Sequence, residues 1–294
     1  MPKNMFLVDL DSLSNGDGKA VYGGKLEAFS FFETGCEEWF AHFSEQVIAA
    51  LGKEYLPVYR MADGEMRFLF GYKINWKNKP IRSLVKYLKY EVFRSSWKTS
   101  WGETYDAGKQ KELRSMLKDC IARIGSMGRI ALYWNKNGLN AFTEYNNSIE
   151  TLFKKAHIQL DKDNYIPFHF VQALIARHAQ ALFQGRNILV VSGMAQTEFS
   201  DLQLELSAFK PSGVEFFQCS ATASLAADYD HYKPAAPPDI VLVAAGIGAA
   251  KVVAQLSHLK CPVIDIGSYI HVLSGKNAKA HAGFFRKPSH KQHA

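Results

Sequence analysis

The sequence predicts an α/β chain, a mostly parallel sheet with helices on both faces, and three observations predict it. Short β-branched runs alternate with longer stretches of helical period, the order expected of a sheet fed by crossover helices. Runs such as Ile240 to Ala244 are apolar at every position, as strands covered on both faces are. The composition, 47% hydrophobic and 21% charged over 294 residues, is that of a chain that buries a substantial core.

From Gly35 to Leu51, Trp39, Phe40, Phe43, Val47, Ile48 and Leu51 recur at steps that suit an amphipathic helix, which Gly52 ends. Leu56 to Arg60 reads as a short strand, Met61 to Glu65 as the turn out of it, and Met66 to Phe70 as the start of a helix. Helices follow from Ile81 to Phe93 and from Lys109 to Ile124, the second stopped by Gly125. Arg129 to Trp134 is a strand, Phe168 to Phe183 a helix, and Asn187 to Ser192 the next strand. Phe199 to Phe209 is helical, Val214 to Gln218 a strand, and Ala221 to Tyr229 a short helix. Asp239 to Ala244 is a buried strand, Ala249 to Leu259 its helix, and Pro262 to Ile266 the last strand. The result is a Rossmann-like body over 55–274, with an N-terminal helical extension, 1–54, packed on it and a basic, flexible tail, 275–294.

Several classes fall away. The longest apolar stretch, Ile240 to Ala250, is eleven residues and too short for the roughly 20 of a membrane-spanning helix. The start, Met1-Pro-Lys-Asn-Met-Phe-Leu-Val-Asp-Leu-Asp, lacks the apolar core of a secretory signal, so a cytoplasmic protein is expected. Cys36, Cys120, Cys219 and Cys261 lie at least 42 residues apart with no paired spacing, and read as reduced thiols rather than zinc or disulfide ligands. No HExxH or HxxxH pattern occurs, and Val191-Ser192-Gly193 is not a serine-hydrolase elbow.

The formal charge of +7 is uneven. Lys276, Lys279, Arg286, Lys287 and Lys291 stand in the tail without an acid, and Lys73 to Lys98 holds eight Lys/Arg against Glu91, interleaved with aromatics. The plain reading of the second stretch is a solvated amphipathic helix with a basic outer face and an aromatic inner face. Its anionic partners, if it has them, are a membrane surface, touched peripherally from the cytoplasmic side, a phosphorylated substrate, or, ranked last, nucleic acid.

In a parallel sheet ligands gather at the carboxyl ends of strands. There, Asp63-Gly64-Glu65 sets two carboxylates two residues apart. On extended backbone they project to one side and can share a hard cation, while the glycine lets a phosphate approach; a plain Asp-Gly turn is the simpler alternative. Arg60 upstream is what a diphosphate beside such a pair needs. Gly246-Ile-Gly248-Ala-Ala-Lys251 joins a strand to a helix whose first amides could hold a phosphate, or its glycines serve only tight packing. Asp265-Ile-Gly267 could bind a ribose or sugar hydroxyl, or cap the next element.

Together, Val58-Tyr-Arg-Met-Ala-Asp-Gly-Glu-Met-Arg-Phe-Leu-Phe-Gly71, the strand Asn187 to Gly193, the segment Asp239 to Leu256 and Val263-Ile-Asp-Ile-Gly267 resemble, in order, the GT-D-type glycosyltransferases. That family shows Arg-Phe-Gly-Asp-Gly-Glu near its start, and a Gly-Pro-Thr-Ala-Lys turn and Ala-Ile-Asp-Ile-Gly-His near its end. Ala62, Ile247-Gly248 and Ser268 depart from those patterns. The resemblance spans about Val58 to Ile270 and makes 55–274 the catalytic domain. It implies transfer of a sugar from a nucleotide-sugar, a UDP-sugar foremost, to a glycan or glycoconjugate, as in polysaccharide biosynthesis. It also implies a divalent cation, Mn²⁺ or Mg²⁺, held by Asp63 and Glu65, the catalytic pair. Arg60, Gly64, Gly246, Gly248, Lys251, Asp265 and Gly267 are then the donor-binding set; the general base is unassigned, with Glu65, Asp265 and His271 as candidates. A non-catalytic Rossmann-like nucleotide binder is the competing reading.

Overall fold

A computed structural model of the chain describes residues 7–8, 36–74, 76, 80–93, 96–98, 104–132, 145–158, 163–168, 170–220, 223–275 and 285–286. Its strands are β1 (Leu56–Arg60), β2 (Arg129–Leu132), β3 (Tyr165–Pro167), β4 (Asn187–Ser192), β5 (Gly213–Gln218), β6 (Ile240–Ala244) and β7 (Pro262–Asp265). They form one seven-stranded sheet in the order β3-β2-β1-β7-β6-β4-β5, with every neighbouring pair parallel. Two ribbons of two residues a strand, Leu7–Val8 with Phe285–Arg286 and Trp97–Lys98 with Thr104–Tyr105, are antiparallel.

The helices are α1 (Cys36–Ala50), α2 (Asp63–Phe70), α3 (Pro80–Tyr87), α4 (Ala107–Met127), α5 (Asn146–Lys155), α6 (Phe170–Phe183), α7 (Gln196–Ser207), α8 (Ala249–Gln255) and α9 (Tyr269–Leu273). Every residue of β2 and of β7 is buried. Because successive side chains of a strand point to opposite faces, a run without exposed positions means that both faces are covered. Helices α4 and α8 pack on one another and on β1, while α1 packs on α6 through Trp39 and Phe40, whose rings meet Phe170 at 5.4 and 5.3 Å. Trp39, Phe43 and Val47 belong to the same core as the strands. At the edge, Phe216 stacks on Phe199 at 4.4 Å and its neighbour Phe217 on Tyr232 at 4.1 Å, so aromatic rings shield both sides of β5.

β1 and β4 begin and end where the periodicity sets them. Elsewhere the structure corrects the sequence. Residues 63–65, expected in a turn, open α2. Gly125, expected to stop a helix, lies inside α4, which runs on to Met127; a side chain there would strike Ile158 at 2.6 Å and Ile130 at 3.0 Å, so the glycine serves packing. The expected helix from Ala221 to Tyr229 is a series of turns over 223–227, fixed by the Tyr229 hydroxyl donating to the Ser224 carbonyl at 2.7 Å. β2 ends at Leu132; Tyr133 and Trp134 lie outside the described residues, as does the tail apart from residues 285–286. β3, α5 and α9 had no expectation.

Cys120, Cys219 and Cys261 are free thiols, and burial pushes Cys120 up to about 11 and Cys261 up to about 12, which makes both unreactive near neutral pH. The Cys36 side chain lies outside the described residues. Among the described residues no helix is long and apolar enough to cross a membrane.

Gly128 is where α4 turns into β2, and an added Cβ there would sit 2.2 Å from the Pro57 carbonyl oxygen of β1. Backbone inside a sheet cannot step aside. Gly128→Ala is therefore expected to lower stability by about 1–3 kcal/mol, read as a fall in urea midpoint with unchanged slope; an unchanged midpoint contradicts the packing.

Candidate functional site

β1, β7 and β6 lie side by side in the middle of the sheet, so the loops leaving their carboxyl ends meet along one edge. β1 ends in Arg60, which is buried. Its backbone N–H donates to Asp265 Oδ2 at 3.2 Å, its guanidinium lies 3.9 Å from Asp265 Oδ1, and it sits 4.8 Å over the Phe168 ring. Asp265 ends β7, is buried, and also accepts from the Gly267 N–H at 3.0 Å. Burial raises the Asp265 pKa, while Arg60 and the two N–H donors pull against it. Gly267 has a φ of +44°, and a Cβ there would fall 2.0 Å from the Arg60 guanidinium. Arg60, Asp265 and Gly267 are thus one packed unit.

The chain leaves β1 through Ala62, which is extended, and enters α2 at Asp63; the Met66 N–H donating to the Ala62 carbonyl at 3.1 Å closes the first turn. Residues i and i+2 of a helix point about 200° apart, so the extended arrangement in which Asp63 and Glu65 share one side is not formed. Glu65 is buried, and the Asp63 side chain lies outside the described residues. Between them, a Cβ on Gly64 would have nothing within 4 Å, so the backbone there is open to approach. Glu65 and Asp265 both act on the Tyr59 hydroxyl, which is fully buried without a hydrogen bond; burial first, then the two carboxylates, hold its pKa well above the usual phenol value.

β6 runs into a 3₁₀ turn, Gly246–Gly248, against which α2 packs. Gly246 has a φ of +55°, which explains the glycine. Gly248 is there for packing: a Cβ would meet the Ser224 backbone at 2.6 Å, and its N–H already donates to the Ala245 carbonyl at 3.1 Å. Lys251, expected at the phosphates, instead donates to the Ala226 carbonyl at 3.4 Å, because its place on α8 turns it toward the 223–227 turns. Beside Gly246 an open hollow lies between Gly193, Cys219, Ser220, Ser224 and the Ala244–Gly246 turn. His271 is on α9, just past the Asp265–Gly267 loop.

The edge therefore gathers Arg60, Gly64, Glu65, Gly246, Asp265 and Gly267. Sequence reasoning missed Phe168, Tyr59 and the serines of the hollow. The serines follow the carboxyl end of β5, where strand-end reasoning applies equally.

Among the described residues no group of three His, Cys, Asp or Glu could hold a metal by itself. Asp265 has both oxygens engaged. On a helical turn Asp63 and Glu65 do not present one side together, so a cation of the Mg²⁺ kind would take one of these carboxylates and complete its shell with phosphate oxygens and water.

No protein-family model matches the chain, and no curated protein matches it. A solved structure of the domain of unknown function 1792 (DUF1792), with selenomethionine substituted, aligns over 86% of this chain and 90% of its own at 14% identity and a TM-score of 0.43, a likeness too slight to bear on activity or site residues.

Asp265→Asn leaves the Arg60 guanidinium buried without its counter-charge. It is expected to cost about 3–5 kcal/mol in chemical denaturation. A loss below 1 kcal/mol, with RT near 0.6 kcal/mol as the yardstick, would mean that the pair does not hold the strand ends.

Proposed function

We propose that the protein is a glycosyltransferase that moves a sugar from a nucleotide-sugar donor, a UDP-sugar foremost, to a glycan or glycoconjugate acceptor, assisted by Mn²⁺ or Mg²⁺. The observation that carries this reading is the meeting of α2 and the Gly246–Gly248 turn at the carboxyl ends of two central strands, β1 and β6, that flank β7, with segments almost two hundred residues apart in the chain packed together. The sequence motifs that resemble the GT-D type lie on those same segments.

Asp63 or Glu65, directly or through water, would hold the cation. When bound, the cation offsets the negative charge that grows on the leaving nucleoside diphosphate. Gly64 allows a phosphate to approach the first turn of α2, where helix amides face outward. The hollow beside Gly246 is small and open, so the rest of the donor would lie over it rather than inside it. Arg60 and Asp265 act as positioning residues that fix both loops, and Gly267 makes room for the guanidinium. Gly248 and Lys251 shape the turn by holding Ser224 and Ala226.

Asp63→Asn and Glu65→Gln are each expected to lower cation-stimulated sugar transfer roughly a hundredfold or more while the melting temperature stays put. Gly64→Ala separates this reading from a plain helix start. Alanine meets no atom there and favours the helix by up to about 1 kcal/mol, so stability should hold or rise while donor binding falls. Thermal-shift measurements with UDP-, GDP-, CMP- and dTDP-sugars, with Mn²⁺ or chelator, read that binding, since a ligand at a hundredfold excess over Kd adds about 2.7 kcal/mol. Equal binding in chelator together with normal turnover in both carboxylate variants would return the protein to the class of non-catalytic nucleotide binders.

A further inference from the structure

Helix α3 continues without a break into a π-helical turn, Leu88–Val92, and neither stretch contains a buried residue. Ile81, Val85, Leu88 and Val92 follow at steps of four, three and four, so they line one side of the helix. That side looks outward. Their exposures are 78%, 59%, 38% and 52%, and Phe93 (75%) and Trp76 (70%), after and before them in the chain, are exposed as well.

The opposite side ties the helix to the body. The Tyr72 N–H donates to Glu91 Oε1 at 2.8 Å, and Tyr72 stacks on Tyr90 at 4.7 Å. The Lys86 ammonium lies 5.7 Å over Tyr72, and that of Lys89, an exposed residue on the flank between the two sides, lies 5.1 Å over Tyr90. A helix anchored by its polar and aromatic side, with its aliphatic side turned to water, is oriented by its contacts.

We infer that this ridge docks the protein onto an anionic membrane surface. Charge complementarity selects that partner. Between Lys73 and Lys98 stand eight cationic side chains and a single acid, Glu91, which the Tyr72 amide holds on the inner side. Aliphatic residues flanked by Arg82 and Lys89 suit the boundary between acyl chains and anionic headgroups, where long basic side chains reach back to phosphate. A second copy meeting this ridge face to face would oppose like charges. Nucleic acid offers phosphates and bases but no apolar phase, and would leave Ile81, Val85, Leu88 and Val92 in water.

The test is flotation of the full chain with vesicles of phosphatidylcholine alone or with added phosphatidylglycerol, at low and high salt. Binding is expected only to the phosphatidylglycerol vesicles and is expected to weaken in salt. Ile81→Glu with Val85→Glu, both exposed and so harmless to folding, should reduce binding at least roughly tenfold. Arg82→Glu with Lys89→Glu should reduce it roughly fivefold for each cation removed. A vesicle-induced blue shift of tryptophan emission should vanish in Trp76→Phe. The inference is overturned by absent binding, by binding that survives Ile81→Glu with Val85→Glu, which would assign it to basic residues elsewhere, or by equal binding to neutral vesicles. It is equally overturned if the double variant abolishes a solution dimer or RNA binding and leaves lipid binding unchanged. None of these readouts involves sugar transfer.

Discussion

Arg60 and Asp265 end neighbouring strands, and each is held out of water by the other. A buried guanidinium or carboxylate alone costs several kcal/mol, so the two chain segments that carry them cannot drift apart without exposing both. Phe168 covers the guanidinium from one side, and the Arg60 and Gly267 amides occupy the carboxylate oxygens. The entry into α2 and the loop after β7 are thus fixed relative to each other by a contact that itself never needs to touch a ligand. The open positions around it, Gly64 and the hollow beside Gly246, are what a ligand would meet.

Most of the sheet was legible from its sequence because strands buried on both faces are apolar throughout, and little else in a soluble chain looks like that. Ile188 to Val191 and Ile240 to Ala244 are such runs. The misjudged segments share a cause: their conformation is set by partners distant in sequence. Gly125 looks like a helix stop but is excused from that role by Ile158 and Ile130. Residues 221–229 have helical composition, yet Tyr229 and the Gln255 side chain hold 223–227 as turns.

The candidate site was legible in its parts and not in their division of labour. Gly64, Gly248 and Gly267 are equivalent letters, but a Cβ would find open space at the first, the Ser224 backbone at the second and the Arg60 guanidinium at the third. Asp265 looked like a ligand for hydroxyls, and its oxygens are spent on the protein. Helix α3 makes the same point about surfaces. The sequence reads as a basic outer face over an aromatic inner one; the structure turns an aliphatic ridge outward, and the Tyr72 to Glu91 contact lies on the other side.

The strand order has a consequence for synthesis on the ribosome. β7, the last strand of the sheet to be made, is inserted between β1 and β6, so a partly translated chain holds two half-sheets with no partner at the seam. Arg60 waits 205 residues for its counter-ion, roughly 10–40 s at ordinary elongation rates. Until then the nascent protein carries two bare strand edges, open to pairing with another chain.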